Sequence, residues 1–195
     1  MNTGLVIGDP GTGKTTFAAH LLEAHRHPRR RFLVSSPWGG FRGVHVRDAA
    51  ALRRRPTLPP VAIVGGEPLE LLQVAVELTS CAVIVDEVQR LFPASEKHFD
   101  HADPRYKLLN EGRHYRVFLL GLTTAPHEVS YALRSAAYWL FFFRLCDSQQ
   151  LQWVSSRCGA RFAAQVAVHT GYAPLFWSPA SATVAQGVSD EKVPA

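Results

Sequence analysis

GDPGTGKT, residues 8–15, stands almost at the start of the 195-residue chain, behind a short GLVI run. It satisfies the phosphate-loop pattern G-x-x-x-x-G-K-[ST] at every fixed position, with Gly8, Gly13, Lys14 and Thr15. Successive backbone N–H groups can curl around a polyphosphate only where no Cβ obstructs them, and Gly8, Gly11 and Gly13 meet that need. In such a loop the lysine reaches the β- and γ-phosphates and the next hydroxyl holds Mg2+. The flanks agree. Leu5, Val6 and Ile7 read as a buried parallel strand, and 15–25 reads as a helix whose positive N-terminal end faces the anion. Nucleotide binding is therefore expected along Gly8, Asp9, Pro10, Gly11, Thr12, Gly13, Lys14, Thr15 and Thr16.

The second diagnostic run is AVIVDEVQRLFP, residues 82–93. Four apolar residues make a central strand that ends in Asp86 and Glu87, so both carboxylates fall at the carboxyl edge of the sheet, beside the phosphate loop. Asp86 is expected to hold Mg2+ through water, and Glu87 to orient and deprotonate the water that attacks the γ-phosphate of ATP. About seventy residues part the two motifs, room for two intervening strand and helix units. That gap predicts a strand added between the phosphate-loop strand and the acidic strand, and disfavours a compact nucleoside kinase.

With 47% hydrophobic residues, the chain suits one compact domain over 1–177, followed by a polar, small-residue tail over 178–195. The longest apolar run, 136–143, is strand length, so no membrane span is expected. The first residues lack a charged segment followed by an apolar one, and the chain reads as cytoplasmic. Cys81, Cys146 and Cys158 are scattered and odd in number, which predicts reduced thiols. Residues 26–55 carry nine arginines against the one acid Asp48, under a net charge of +5 for the whole chain. Such a stretch serves either a polyanionic partner such as nucleic acid or an arginine-rich solvated surface.

Strands are expected at 4–7, 32–35, 61–64, 82–86, 117–123 and 138–143, and helices at 15–25, 48–54, 68–79, 104–114, 127–136 and 147–157. This alternation predicts an α/β fold in three layers around a mostly parallel sheet. In the third expected helix, 68–79, Leu71, Val74, Ala75 and Leu78 form one helical stripe and Leu69, Leu72 and Val76 another, which predicts a helix covered on two sides.

The run EGRHYRVFLLGLTTAPHEVSYALRSAAYWLFFFRLCD (111–147), together with DEVQRLFP, resembles the FtsK/HerA-like P-loop ATPases, in particular the DNA-packaging ATPases of membrane-containing icosahedral viruses. In that family an Asp-Glu strand is followed by a helix with a G-R-H-like turn, a strand ending in T-Q-x-P, and L-R-S leading into an F-F-R-L strand. The resemblance implies an added-strand ATPase with a catalytic glutamate, working as a pentameric or hexameric ring that drives double-stranded DNA into a preformed capsid. It places the protein in the cytoplasm of an infected cell or at a virion vertex, beside capsid or membrane proteins. By position it implies Lys14 and Thr15 as phosphate and metal residues, Asp86 and Glu87 as metal and water residues, and Arg113 as an arginine finger. Arg134 is the competing finger, and a salt bridge from Arg113 to Glu111 or Asp103 is the structural alternative. Where the family carries a sensor Gln, this chain has Thr124, whose hydroxyl can donate to phosphate or water but reaches less far. The filamentous-phage assembly ATPases and their zonula occludens toxin relatives are similar too, through the D-E-A-Q-R-x-F-P-like run.

Other features carry less. His98, Asp100, His101 and Asp103 in KHFDHAD lack metal-ligand spacing and read as a solvated loop. WGGF, residues 38–41, reads either as a DNA or subunit contact on a glycine loop or as an ordinary packed turn. Phe141, Phe142 and Phe143 read as a core strand. Two other functions fit the motifs: an ATP-dependent assembly or secretion switch with little DNA translocation, and a small-substrate phosphotransferase.

Overall fold

The computed structural model describes residues 3–26 and 30–180; of the tail expected over 178–195, residues 181–195 lie outside the described residues. The chain begins with β1 (Thr3–Ile7), α1 (Lys14–Ala24), β2 (Arg31–Ser35), β3 (Val44–Val46), α2 (Ala49–Arg53), β4 (Val61–Val64) and α3 (Pro68–Leu78). It continues through β5 (Cys81–Val85), a 3-10 turn (Val88–Arg90), α4 (Pro104–Tyr106), a π turn (Lys107–Glu111), α5 (Gly112–Tyr115) and β6 (Phe118–Thr123). A second 3-10 turn (Pro126–Glu128), α6 (Tyr131–Ala136), β7 (Trp139–Phe142), α7 (Ser148–Cys158), α8 (Ala160–Val168) and β8 (Leu175–Trp177) complete it.

The strands form one eight-stranded sheet in the order β3-β4-β2-β5-β6-β1-β7-β8. Every pairing is parallel except that of β7 with β8. β6 lies between β1 and β5, so the added strand expected between the phosphate loop and the acidic pair is there. Side chains alternate between the faces, as a period of two requires. Leu5, Ile7, Leu33, Val83, Val85, Leu140 and Phe142 face a core closed by α2, α3, α6, α7 and α8. Val6, Phe32, Val34, Ile84, Leu120, Leu122 and Phe143 face the other way, where Ala18 and Leu22 of α1 and the ring of Phe41 cover them. The three layers are thus unequal, with one face thickly covered and the other by a single helix of 11 residues.

Several elements differ from expectation. The helix expected over 127–136 is interrupted: Val129 leaves the helical region to bridge Pro93, and the Ser130 hydroxyl accepts the Leu133 N–H to begin α6 afresh. The helix expected over 104–114 contains the π turn. α3 is covered on one broad face, with Leu71, Leu72, Val74 and Ala75 buried and Leu69 exposed in its first turn. Residues 44–46, 160–168 and 175–177, where no strand or helix was expected, form β3, α8 and β8. In KHFDHAD, the His101 ring packs on Tyr106 and the Asp103 carboxylate accepts the Arg105 N–H that opens α4.

Gly121, in the middle of β6, lies under the first 3-10 turn, and a Cβ there would stand 2.8–2.9 Å from three atoms of the Val88 side chain. Gly121→Ala is expected to destabilise the fold by roughly 1–3 kcal/mol through overpacking. Adding Val88→Ala, which removes two of those three atoms, is expected to make the double variant more stable than the sum of the single losses, read from urea midpoints. Strict additivity would show that the turn is not seated on Gly121.

Candidate nucleotide site

The carboxyl ends of β1, β5, β6 and β2 bring the motif residues together. After β1 the backbone turns through Gly8–Gly13, with Gly11 and Gly13 in the left-handed region at φ 74° and 102°. Only glycine adopts that conformation without strain, which is why both positions need it. Gly8 keeps its place for a different reason, since a Cβ would come within 2.6 Å of Phe143 Cβ. Gly13 then caps α1 without any side-chain hydrogen bond, so the first N–H groups of the helix face the loop uncapped. Uncapped N–H groups and the positive end of the helix dipole make a site suited to an anion.

Lys14 opens α1 and is buried, its ammonium donating to the Gly8 and Asp9 carbonyls at 2.8 Å each. Burial pulls its pKa below the usual lysine value, while the charges of Asp86 and Asp9 oppose the shift. Thr15 Oγ1 lies 3.5 Å from Asp86 Oδ2. Two oxygens so placed suit a small hard cation held directly by the Thr15 hydroxyl and through a water by Asp86. Asp86 is held by its own neighbours, with Oδ1 accepting the Glu87 N–H at 3.1 Å and Oδ2 standing 3.2 Å from Ser36 Oγ.

Glu87 follows in the left-handed region, at φ 57° and ψ 52°. A non-glycine residue held there is uncommon, and such residues cluster at functional sites. Its Oε1 accepts the indole N–H of Trp38 at 3.1 Å, and Arg90 Nε stands 2.8 Å from its Oε2. Glu87 therefore stands next to the cluster in the chain but is turned toward a tryptophan and an arginine. The Asp9 carboxylate accepts the Cys146 N–H at 3.0 Å, so this side chain ties the loop to the chain beyond β7.

Thr124 ends up beside the loop, because its neighbour Thr123 accepts the Gly8 N–H at its carbonyl. The Thr123 hydroxyl is engaged by the Ala125 N–H, and the Thr124 carbonyl accepts the amide of Gln150 at 2.8 Å. Arg113 is not brought to this cluster. It lies on α5, just ahead of β6, and the six residues of that strand separate it from Thr124 by about 20 Å. Arg113 is exposed, and both carboxylates suited to hold it are taken, Glu111 by the Tyr115 hydroxyl and Asp103 by Arg105. Arg134 is half-buried on α6, its Nε enclosed with no hydrogen-bond partner among the described residues, and burial pulls its pKa down.

Ser36, Trp38 and Gln150 are contacts that the sequence reading did not assign. A signal existed for Ser36, a hydroxyl at the end of the strand that pairs with β5. None existed for the other two, which act across 49 and 26 positions of the chain. The basic stretch is partly neutralised, with Arg26 on Glu23, Arg47 on Asp48 and Arg53 on Glu77. Arg30, Arg54 and Arg55 remain exposed toward the amino-terminal edge of the strands, opposite the phosphate loop.

Solved structures share the fold. The genome packaging NTPase B204 from Sulfolobus turreted icosahedral virus 2, in complex with AMPPCP, superposes with a TM-score of 0.75 at 17% identity, covering 92% of this chain and 93% of that one. B204, the DNA-packaging ATPase from Sulfolobus Turreted Icosahedral Virus, gives 0.70 at 16% identity, with 92% and 93% covered. The N-terminal domain of zonular occludens toxin from Neisseria meningitidis gives 0.43 at 18% identity, with 72% and 76% covered. At these identities the B204 likeness shows a common fold. No curated protein matches the sequence. The profile of the ATPase family associated with various cellular activities (AAA) matches residues 4–145, and the chain belongs to that family.

Proposed function

We propose that this ATPase is a ring motor that translocates double-stranded DNA, and that its task is packaging a viral genome into a preformed capsid. The observation that carries the reading is the meeting of Lys14, Thr15 and Asp86 at one sheet edge, with Glu87 next in the chain and β6 set between their strands. Lys14 leaves the Gly8 and Asp9 carbonyls to meet the β- and γ-phosphates, while the N–H groups of residues 11–16 wrap them. Thr15 and Asp86 hold Mg2+, which supplies charge neutralisation at the phosphates when bound. Glu87 prepares the attacking water, and Thr124, whose neighbour's hydroxyl is already used, senses the γ-phosphate.

Support for DNA as substrate comes from the packaging role of the B204 proteins and from the exposed Arg30, Arg54 and Arg55. Arg53 is a weaker candidate because Glu77 holds it through two hydrogen bonds of 2.9 Å. A ring is supported by Arg113, which is exposed and too far along β6 to serve its own phosphate loop. It acts on a neighbour's nucleotide, where a guanidinium meets charge on the departing phosphate. Among the described residues no helix is long and apolar enough to cross a membrane; proteins of a capsid vertex or membrane are the further partners of this reading.

Phosphate release measured with and without duplex DNA tests the substrate: DNA-stimulated turnover is expected, and ATP-dependent assembly with no DNA response would select the assembly switch. Lys14→Ala is expected to weaken nucleotide binding itself. Glu87→Gln should bind ATP normally and turn over at least roughly a hundredfold more slowly. Normal turnover in Glu87→Gln would remove Glu87 from the mechanism.

Mixing two inactive proteins tests the finger. Combined Arg113→Ala and Lys14→Ala subunits should regain part of the activity, because some sites then pair an intact loop with an intact finger. If mixed rings form and nothing returns, the role passes to Arg134.

A further inference from the structure

At the amino-terminal edge of the sheet the α1 side leaves aromatic rings open. Along β7, Leu140 and Phe142 are fully buried on the thick face, whereas Trp139 and Phe141, on the α1 side, are only half-buried. Neighbouring strands extend that row. Phe118 of β6 packs on Trp139 with ring centroids 5.3 Å apart, and Phe176 of β8, 49% exposed, lies at the same distance from Phe141. α1 is too short to cover them, since its 11 residues start at the phosphate loop and Leu21 and Leu22 are its last large apolar side chains. What remains is a groove of about 1130 Å3, lined by these rings and by Arg26, Arg30 and Arg116. A space larger than the roughly 300–1,000 Å3 of a small-molecule pocket suits a length of polypeptide.

β8 delivers the chain to this groove. It runs antiparallel to β7, with Leu175 opposite Phe142 and Trp177 opposite Leu140, so it returns to the amino-terminal edge. Phe176 already lines the groove, and the backbone is helical at Pro179 and Ala180. Residues 181–195, SATVAQGVSDEKVPA, follow. Their chemistry comes in the order that the groove presents: Val184 and Val188, four apart, and then the acids Asp190 and Glu191. Arg116, exposed just ahead of β6, stands three strands from β8, about 14 Å at about 4.7–4.9 Å per strand. The chain from Ser178 to Asp190 spans that distance even at the roughly 1.5 Å per residue of a helix. Apolar contact rimmed by an acid–arginine pairing is the usual anatomy of a protein interface.

We propose that residues 181–195 dock in this groove of their own subunit, with Val184 and Val188 on the rings of Trp139, Phe141 and Phe176, and Asp190 and Glu191 at Arg116. The docked segment completes the layer that α1 begins and shields an aromatic row from water. This cover is a property of the subunit; it needs neither nucleotide nor DNA, and it stands apart from the motor reading.

Val184→Asp/Val188→Asp in the full chain should open the groove. Fluorescence of the neutral apolar dye Nile red should then rise at least roughly threefold over wild type, because apolar surface is uncovered. ATP affinity should not change, since the phosphate loop lies at the opposite edge of the sheet. Equal dye fluorescence in variant and wild type overturns the docking. Arg116→Lys keeps the charge and supplies an amine, so a zero-length carbodiimide should join position 116 to Asp190 or Glu191, read by peptide mass. This second measurement leaves both valines in place and decides the matter if the double variant does not fold. Mixing isotope-labelled and unlabelled Arg116→Lys protein identifies the donor of the segment. Links confined to one isotopic chain are expected. Links between labelled and unlabelled chains would assign the groove to a second copy and overturn docking within the subunit, and absence of any link would overturn it outright.

Discussion

Gly8 and Phe143 share a space that has no room for a Cβ, and the position of the whole phosphate loop follows from that contact. Hydrogen bonds fix the loop from both neighbouring strands: the Gly8 N–H donates to Thr123 at the end of β6, and the Asp9 N–H donates to Arg144 beyond β7. Phe143 in turn packs edge-on against Phe17 of α1 with ring centroids 6.0 Å apart. The loop, the helix that follows it and the thinly covered face of the sheet are therefore seated on one aromatic side chain. Nucleotide chemistry needs donors that do not reorganise as charge moves, and this packing holds the backbone donors still.

The acidic side of the site is built on different terms. Asp86 is the first residue after β5, and its N–H donates to Ser35 at the end of β2, so its height above the sheet is set by strand pairing. Glu87 is one residue further, where the chain has already left extended conformation for the left-handed region. One carboxylate is thus fixed by the sheet and the next by a turn with contacts of its own. That difference is in keeping with the proposed roles, a rigid ligand suiting Asp86 as a metal residue and a turn position suiting Glu87 beside the attacking water.

How much of this was legible depends on whether the information is local. The phosphate loop, β5 and its acidic pair, and the central strands carry unbroken apolar runs or fixed spacings, so their identity and even the added strand could be read from residue order. β3 and β8 could not, because an edge strand of three residues has too few positions to show a period. α8 follows Gly159, whose left-handed φ of 94° restarts a helix where the sequence offers only a stop signal. The break at Val129 depends on Pro93, far away in sequence. The partners of Glu87 and Thr124 belong to the same class, being contacts between elements with no echo in spacing. For Arg113 the sequence named the residue and its competitors, but only the topology shows that it stands at the far edge of the sheet from its own loop.

The π turn at Lys107–Glu111 gives that placement an explanation in phase. Such a turn holds one residue more than an α-helical turn, so everything after it is rotated by about 100° relative to an uninterrupted helix. Leu108, within the turn, remains buried against the sheet, while Arg113 and His114, after it, are exposed. The single extra residue lets one continuous segment obey two masters: the hydrophobic phase of the core at its start and an outward phase at its end. Removing one position there would leave the helix intact in length and bonding but swing the guanidinium toward the interior, so the insertion is what decouples an outward-facing cation from the packing that precedes it.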